Sequence, residues 1–476
     1  MASVNPRKAS IATLVVACSF ILLWFGNGLN PMWPLMWFAM LPVLWFALRS
    51  SWPSAALVAV LSMMLGSLNM LHYLHGVLGI PVSVWISIYA VVGIGFGIGI
   101  LLFRALVLRG AVWSALIALP VLWVSMEYSR LLTTPHGTAG SLAYTQLKFL
   151  PYLQLASITG PWGMSFFLLL LQSAIAIGIY LWPTERRQAI RVVGVSLMSI
   201  AAVLLFGAIR LKAPQGRTIR VGLIASDARA NVVPPDPGAA TQQLFRDYAV
   251  HASSLVSQGV QVIVMPEKIG VVVEPETHSM DEVLQATADR TGVAIVAGVV
   301  RVAKPLKYNE TRVYVPHLQV ATYDKQHMLP PFESDLQPGK SLTFLPSPYA
   351  TVGIAICKDM DFGDPARRYG EADAGVMLVP AWDFVIDNAW HGHIAVMRGV
   401  EDGFSIVRAA KNGYLTVSDS RGRIVAETRS DSASFATLIA DVPAEHYKTL
   451  YLRLGDWFAW VSVGLLVWVL VRVLWR

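Results

Sequence analysis

The sequence is poor in charged residues. Asp, Glu, Lys and Arg make up 14% of its 476 residues, whereas an ordinary soluble domain carries roughly 25%. Hydrophobic residues make up 55% of the chain, and they are concentrated in about the first 210 residues and again at the C-terminal end. The shortage of charge therefore excludes a wholly water-soluble protein, and we expect much of the chain to lie in lipid.

Cysteine is scarce as well. The two cysteines, Cys18 and Cys357, cannot define a disulfide framework, and they leave the redox compartment open. The sequence also lacks basic runs and basic motifs interleaved with aromatic residues, which argues against nucleic-acid binding. It contains no repeat of solenoid period and no low-complexity tract.

The apolar segments predict a multi-pass α-helical membrane domain. A helix needs about 20 apolar residues to cross a bilayer, and about eight segments of the chain meet this requirement. The predicted spans are 10–27, 31–49, 54–73, 81–104, 111–129, 160–182, 191–209 and 457–474. The first span lacks a clear small-residue cleavage site and is followed at once by others, so we interpret it as an uncleaved helix and not as a signal peptide.

Basic residues indicate the orientation of these spans. The net charge of +7 could attract anionic lipid head groups. We favour another explanation, in which basic residues at helix ends set the topology, because cytoplasmic loops are rich in Lys and Arg. With the N-terminus inside, the cytoplasmic segments carry Arg7, Lys8, Arg49, Arg104, Arg109, Arg186, Arg187, Arg191, Arg472 and Arg476. The short outside loops carry only Arg130 and Lys148. Seven crossings then place the polar segment on the periplasmic side of a bacterial inner membrane, and both termini are cytoplasmic.

The polar segment, 213–451, has the composition of one soluble domain. Apolar strands such as IRVGLIAS alternate in it with amphipathic helices such as TQQLFRDYAVHASSLVSQG, and this alternation is typical of α/β or α+β domains with buried sheets. We therefore divide the chain into a transmembrane domain (1–212), an extracytoplasmic α/β domain (213–451) and a C-terminal transmembrane helix (452–476).

Three strand-like runs of this domain end in residues that carry chemistry. QVIVMPE ends at Glu267, LQVATYDK at Lys325 and TVGIAIC at Cys357. Catalytic groups gather at the carboxyl ends of strands, so the three could form a thiol nucleophile with a base and a cation beside it. Taken singly, each residue is more often structural: a buried cysteine is usually a small hydrophobe, and a Glu or Lys at a strand end is usually solvated.

The segments VIVMPEKIG, YDKQHMLPPFE and GIAICKD resemble the three signature segments of the nitrilase (carbon–nitrogen hydrolase) superfamily. With seven spans before the domain and one after it, the chain resembles the membrane-bound branch of that superfamily, the apolipoprotein N-acyltransferases. The resemblance covers nearly the full length, and it includes Glu127, GSLAYTQ and LQLASITGPWGMSF in the membrane part.

The resemblance implies a four-layer αββα sandwich with a catalytic triad of Glu267, Lys325 and Cys357. Glu333 matches a further carboxylate that holds the lysine and the reacting amine. The family takes an acyl chain from a phospholipid onto its cysteine and passes it to the amine of a diacylglyceryl-cysteine apolipoprotein. It needs no metal or other cofactor, and it is monomeric.

The chain departs from the family pattern beside the nucleophile. Lys358 and Asp359 replace an aromatic residue and Glu, and Lys358 could either strengthen thiolate character or point away into solvent. Trp382, in a segment that replaces an Asn-rich one, could line an acyl pocket or simply pack in the core. These changes leave open two alternatives, a membrane-tethered amidase or nitrilase that releases its acyl group to water, and an inactive binding or scaffold protein.

Overall fold

The structure is a computed structural model, and it describes residues 6–227, 238–275, 277–348 and 350–475. In chain order the helices are α1 (Pro6–Gly26), α2 (Trp33–Met36), α3 (Leu41–Ala47), α4 (Trp52–Gly66), α5 (Val82–Leu108), α6 (Val112–Thr133), α7 (Leu150–Leu153), α8 (Ala156–Thr159), α9 (Pro161–Leu181), α10 (Arg186–Lys212), α11 (Ala239–Val256), α12 (Thr277–Thr291), α13 (Ala366–Glu371), α14 (Trp390–Asp402), α15 (Leu450–Leu454) and α16 (Trp457–Leu474).

The strands lie between α10 and α15. They are β1 (Thr218–Ala225), β2 (Val262–Val264), β3 (Val271–Val273), β4 (Ala294–Ala303), β5 (Leu306–Tyr314), β6 (Ala321–Asp324), β7 (Phe344–Leu345), β8 (Val352–Ile354), β9 (Val376–Trp382), β10 (Ser405–Lys411), β11 (Tyr414–Ser418), β12 (Ile424–Arg429) and β13 (Ala436–Pro443).

The described chain forms two compact units. The first contains Met1–Thr133, Gly140–Leu211 and Leu454–Arg476, and the second contains Lys212–Arg453 together with the short segment Thr134–Ala139. The sequence did not indicate that this short segment belongs with the second unit. The assignment of 213–451 as a catalytic domain stays a prediction.

Helices of the first unit confirm the predicted multi-pass membrane architecture. Among the described residues, seven helices are long and apolar enough to cross a bilayer: α1, α4 with its 3₁₀ extension to Met70, α5, α6, α9, α10 and α16. They correspond to all of the predicted spans except the second.

The second predicted span, 31–49, is not one continuous helix. It forms the short helices α2 and α3, and the backbone between them lacks the regular helical hydrogen bonds. The buried amide of Gln172 on α9 replaces part of this bonding, since its oxygen accepts from Met40 N at 2.7 Å and its nitrogen donates to Met36 O at 3.2 Å. Irregular backbone is tolerated at membrane depth where neighbouring protein groups satisfy it in this way.

Two sheets form the centre of the second unit. The first has the strand order β13-β1-β2-β4-β5-β6, with β3 paired to β4, and the second has the order β12-β11-β10-β9-β8-β7. The pairs β1–β2, β2–β4, β8–β9 and β9–β10 are parallel. Strands β5 and β6 form an antiparallel pair.

Burial patterns confirm the four-layer αββα sandwich. Alternate side chains of a strand point to opposite faces, and both faces of each sheet are apolar here. The inner faces pack on one another through residues such as Leu223, Val264, Ile354, Leu378 and Val407. The outer face of the first sheet packs on α11 and α12, and the outer face of the second packs on α13 and α14.

Candidate active site

Glu267 follows β2, which lies in the parallel part of the first sheet, and its side chain is almost completely buried. Its backbone N–H donates to Ala381 O on β9 at 3.2 Å, which ties this corner of the first sheet to the second. Position 298 on β4 requires glycine, because a Cβ there would lie 2.5 Å from Glu267 Cα. The close approach fixes the backbone that carries the carboxylate.

Lys325 follows β6 and points into a cluster of buried polar groups. Its Nζ lies 2.9 Å from Glu267 Oε1 and 2.9 Å from Glu333 Oε2. The Asn309 side chain on β5 donates to the same two carboxylates, at 2.5 and 2.8 Å. Asn309 also accepts from Lys325 N through its backbone oxygen at 2.8 Å. One asparagine therefore aligns all three charged groups.

Lys268 adds a second cation to this cluster. Its ammonium group contacts Glu333 Oε1 directly and lies 3.9 Å from Glu267 Oε1. Glu333 also accepts from Leu329 N at 2.8 Å, so its position is fixed from three sides. Lys268 and Asn309 were not predicted from the sequence, although Lys268 directly follows the predicted catalytic glutamate.

The charges of this cluster are mutually stabilised. Burial alone would lower the pKa of Lys325, but Glu267 and Glu333 outweigh it and raise that pKa well above its ordinary value. Burial likewise opposes ionisation of Glu333, yet Lys325 and Lys268 hold the pKa of Glu333 well below its usual range. Lys325 is therefore an ammonium ion and Glu333 a carboxylate at neutral pH.

Cys357 begins the 3₁₀ turn Cys357–Asp361, which two residues separate from the end of β8. Its φ of 41° lies in the left-handed region, which costs a non-glycine residue on the order of 1–2 kcal/mol. Such strain is typical of functional turns. The thiol donates to Trp382 O at 3.7 Å, and Arg408 Nη2 lies 3.9 Å from the sulfur.

The thiol is electrostatically coupled to the glutamate and lysine of the cluster. Burial raises the pKa of Cys357, and the Glu267 carboxylate raises it further, whereas Lys325 and Arg408 act in the opposite direction. Burial and the carboxylate prevail, so the resting residue is a thiol and needs a base to become a nucleophile.

Asp359 fastens the cysteine turn to the lysine loop. Its Oδ1 accepts from Gln326 N at 3.0 Å and from His327 N at 2.8 Å. Its Oδ2 accepts from Tyr323 Oη at 2.8 Å and from Ile356 N at 3.1 Å. The carboxylate is fully buried and fully engaged, so its contacts are those of a positioning residue between two loops and not those of a substrate ligand.

Lys358 is buried, so it does not point away into solvent. Its effect on the thiolate stays a prediction. The ammonium group lies 3.6 Å from Asp361 Oδ2 and 5.6 Å from the centre of the Phe362 ring. The Lys358 ammonium group therefore lies near a carboxylate of the same turn.

Trp382 ends β9 beside the sulfur. Its carbonyl accepts the thiol hydrogen bond, and its ring contacts two ammonium groups, with Lys411 Nζ at 3.7 Å and Lys268 Nζ at 5.8 Å from the ring centre. Trp382 therefore borders the sulfur and two cations and does more than pack in the core, and its role in lining an acyl pocket stays a prediction.

A further charged group borders the cysteine and was missed. The buried Arg408 on β10 makes a bidentate pair with Asp383, at 2.7 and 2.5 Å. His391 on α14 lies 3.1 Å from Asp361 and 3.5 Å from Asp387. An arginine inside the apolar strand SIVRAAK was the available signal, since buried charges are rare unless paired.

Comparisons with known proteins agree with this architecture. Residues 13–174 match the family model for the apolipoprotein N-acyltransferase N-terminal domain, and residues 232–450 match the carbon–nitrogen hydrolase model. An apolipoprotein N-acyltransferase from Geobacter metallireducens is 27% identical over 387 residues, which cover 74% of this chain and 73% of that protein. Another, from Bradyrhizobium diazoefficiens, is 26% identical over 445 residues and covers 82% and 80% of the two chains.

Among solved structures, an amidase from Nesterenkonia sp. is 20% identical with a TM-score of 0.42, and the match covers 51% of this chain and 95% of the amidase.

Proposed function

We propose a mechanism for a chain that belongs to the apolipoprotein N-acyltransferase family, the membrane-bound branch of the carbon–nitrogen hydrolase superfamily. The chain transfers a fatty acyl group from a phospholipid to the N-terminal amine of a diacylglyceryl-cysteine apolipoprotein, through a thioester on Cys357. The observation that carries this proposal is the buried cluster of Glu267, Lys325 and Glu333, in which Lys325 contacts both carboxylates and Glu267 and Lys325 act electrostatically on that cysteine.

The first half-reaction acylates the cysteine. Glu267 takes the thiol proton, and the sulfur attacks the ester carbonyl carbon of the phospholipid. Lys325 stabilises the oxyanion of the tetrahedral intermediate, because it is a fixed cation in a buried site. The carbon–oxygen bond then breaks, Glu267 returns its proton to the departing glycerol oxygen, and a lysophospholipid leaves.

The second half-reaction uses the same groups in reverse. The apolipoprotein amine attacks the thioester carbonyl carbon, and Glu267 accepts a proton from the nitrogen. The carbon–sulfur bond breaks, the amide forms, and the proton returns to the sulfur. Glu333 holds Lys325 throughout, while Asp359 keeps the cysteine turn in register with the lysine loop.

The location of the reaction follows from the substrates, which are both held in the membrane. We place the second unit on the periplasmic side of the inner membrane with both termini in the cytoplasm, because this orientation keeps nearly all loop arginines inside. A monomer suffices for the proposed chemistry, since all of the proposed catalytic groups come from one chain.

Intact-mass spectrometry of the purified protein tests the proposal. Incubation with phospholipid should add the mass of one acyl chain to the wild type, and a lipopeptide acceptor should remove that mass again and gain an amide-linked chain. Cys357→Ala should show neither step, and Lys448→Met, which alters an exposed lysine, should show both. Release of the acyl chain as free fatty acid in the presence of the acceptor would identify a hydrolase instead. Unchanged acylation of Cys357→Ala would exclude the thioester.

A further inference from the structure

Lys411 has an unusual environment for a lysine. It ends β10 in register with Trp382 at the end of β9, so it lies at the same sheet edge as the sulfur. Its side chain is only 5% exposed, and within the described ranges no carboxylate oxygen lies within 4.0 Å of its ammonium group. A buried ammonium group normally has a carboxylate partner, because its transfer from water is costly.

The contacts that Lys411 does make leave capacity for a ligand. Its Nζ donates to the backbone oxygen of Lys268 at 3.1 Å and lies over the Trp382 ring at 3.7 Å. An ammonium group has three donors, and these two contacts do not use the third. Asp227 is near enough to act on Lys411 electrostatically, but its oxygens accept from Asn412 N and from Ser430 Oγ.

A second cation lies beside Lys411. Lys268 Nζ is 5.8 Å from the same tryptophan ring, and its charge is already matched by Glu333. Burial, together with Lys268, lowers the pKa of Lys411 to about 7, although Glu267 acts in the opposite direction. An anion bound here would favour the charged amine and would replace the missing carboxylate.

The proposed reaction brings one permanent anion to this edge. The donor's scissile ester and its phosphate are joined by the glycerol backbone, so an ester placed at Cys357 carries a phosphodiester a few bonds away. The acceptor reacts at an amine and brings no comparable fixed anion. We propose that Lys411, supported by Lys268 and the Trp382 ring, forms a subsite that binds the phosphodiester of the phospholipid acyl donor. This inference rests on the proposed function and adds the part of the donor that the site recognises.

Acylation of Cys357 by two donors with the same acyl chains tests the subsite. The full-length protein in detergent is incubated with phosphatidylglycerol or with diacylglycerol, which lacks the phosphate, and the acyl adduct is followed by intact mass. Lys411→Met should slow acylation by phosphatidylglycerol by about tenfold or more, the loss expected for one charge-assisted hydrogen bond. It should leave acylation by diacylglycerol unchanged, and Lys411→Arg should keep most of the phosphatidylglycerol rate.

Controls separate this inference from the proposed function and from misfolding. Lys448→Met removes an exposed charge and should not alter either rate, and an unchanged thermal unfolding temperature should accompany Lys411→Met. Equal losses with both donors, or no loss with either, would overturn the subsite while leaving the thioester mechanism intact. Acceleration of the diacylglycerol reaction by inorganic phosphate would assign the subsite to a free anion and would also overturn the proposal. A wild type that forms no adduct with either lipid would instead refute the function.

Discussion

At the scale of single residues, the candidate site holds fixed charges around a thiol that carries none. Lys325 is shared between two carboxylates at 2.9 Å each, and Asn309 donates to both of these carboxylates. Glu267 and Lys325 act electrostatically on Cys357, yet its thiol stays protonated. Lys325, the proposed partner of the oxyanion, is therefore charged before the reaction begins, whereas the thiolate forms only when Glu267 takes the proton.

Replacement of Glu267 by glutamine should separate thiolate formation from catalysis. The Glu267 carboxylate is, after burial, the main group that raises the pKa of Cys357. Glu267→Gln should lower that pKa, so iodoacetamide should alkylate Cys357 faster than in the wild type at pH 8. Acyl transfer should nevertheless fall by about 10²-fold or more, because the general base is lost. Peptide mass spectrometry of the alkylated cysteine measures the first effect, and lipopeptide acylation measures the second.

Glu333→Gln is the matched control for this experiment. It also removes a partner of Lys325 but leaves the Glu267 carboxylate in place, so alkylation should change less than in Glu267→Gln. Slower alkylation of Glu267→Gln than of the wild type would contradict the assigned electrostatics.

Three charged residues of the site could be predicted from the sequence, whereas Lys268, Arg408 and the neutral Asn309 could not. Glu267, Lys325 and Glu333 were predicted, and the structure places them within hydrogen-bonding distance. Asn309 was not, because a polar residue in a strand gives no indication of which face it lies on or what it meets there. The burial of Lys358 was also beyond the pattern, since Lys358 meets Asp361 within the 3₁₀ turn that follows β8.

At the scale of elements, the cysteine turn is fixed from two directions. Asp359 binds it to the loop after β6. On its other side, Asp361 O accepts from both the backbone N and the Oγ1 of Thr138, at 3.0 and 2.9 Å. A Cβ at position 137 would lie 2.4 Å from the same oxygen, so a glycine is needed at this contact. The strained turn therefore does not hold its geometry alone.

Asp359→Asn tests how strongly the first of these attachments matters. The amide nitrogen of the new asparagine would face N–H or O–H groups that now donate to the carboxylate. Buried groups would then lack a hydrogen-bond partner, at a cost of about 1–3 kcal/mol each. The variant should unfold at a lower temperature and acylate Cys357 more slowly. Thermal unfolding in detergent and intact mass measure the two effects. Asp364→Asn, an exposed position nearby, should match the wild type, and wild-type behaviour of Asp359→Asn would refute the positioning role.

The strands and long helices were predictable because hydrophobic periodicity and length identify them directly. The break in the segment 31–49 was not predictable in this way, because the composition of the segment is as apolar as that of a continuous span. The available signal was its proline content, with Pro34 and Pro42 at the starts of α2 and α3. Proline disfavours helix in the residue before it and cannot donate a backbone hydrogen bond. The side chain that satisfies the break, Gln172, lies far away in the sequence, so the pattern could not show that the break is tolerated.

At the scale of the whole molecule, the orientation depends on whether 31–49 crosses the bilayer. If it does not, six long helices precede the second unit, and an inside N-terminus would place that unit in the cytoplasm. The same arrangement would move Arg49, Arg104, Arg109 and the arginines at the start of α10 to the outside, against the positive-inside rule. A crossing made of two short helices keeps these residues inside, and the hydrogen bonds from Gln172 make such a crossing physically acceptable.

Cysteine labelling of the full-length chain distinguishes these topologies. In a background with Cys18→Ser and Cys357→Ser, single cysteines are introduced by Ser51→Cys, just after the broken segment, and by Lys448→Cys, at an exposed position of the second unit. A membrane-impermeant maleimide applied to intact spheroplasts should label the cysteine at 448 and should reach the one at 51 only after the membrane is permeabilised. The reverse pattern would mean that 31–49 enters and leaves on one side, and it would place the proposed active site in the cytoplasm, where the predicted periplasmic reaction could not occur. Labelling at both positions in intact spheroplasts would contradict the charge rule for this chain, because Arg49 would then lie outside together with the second unit.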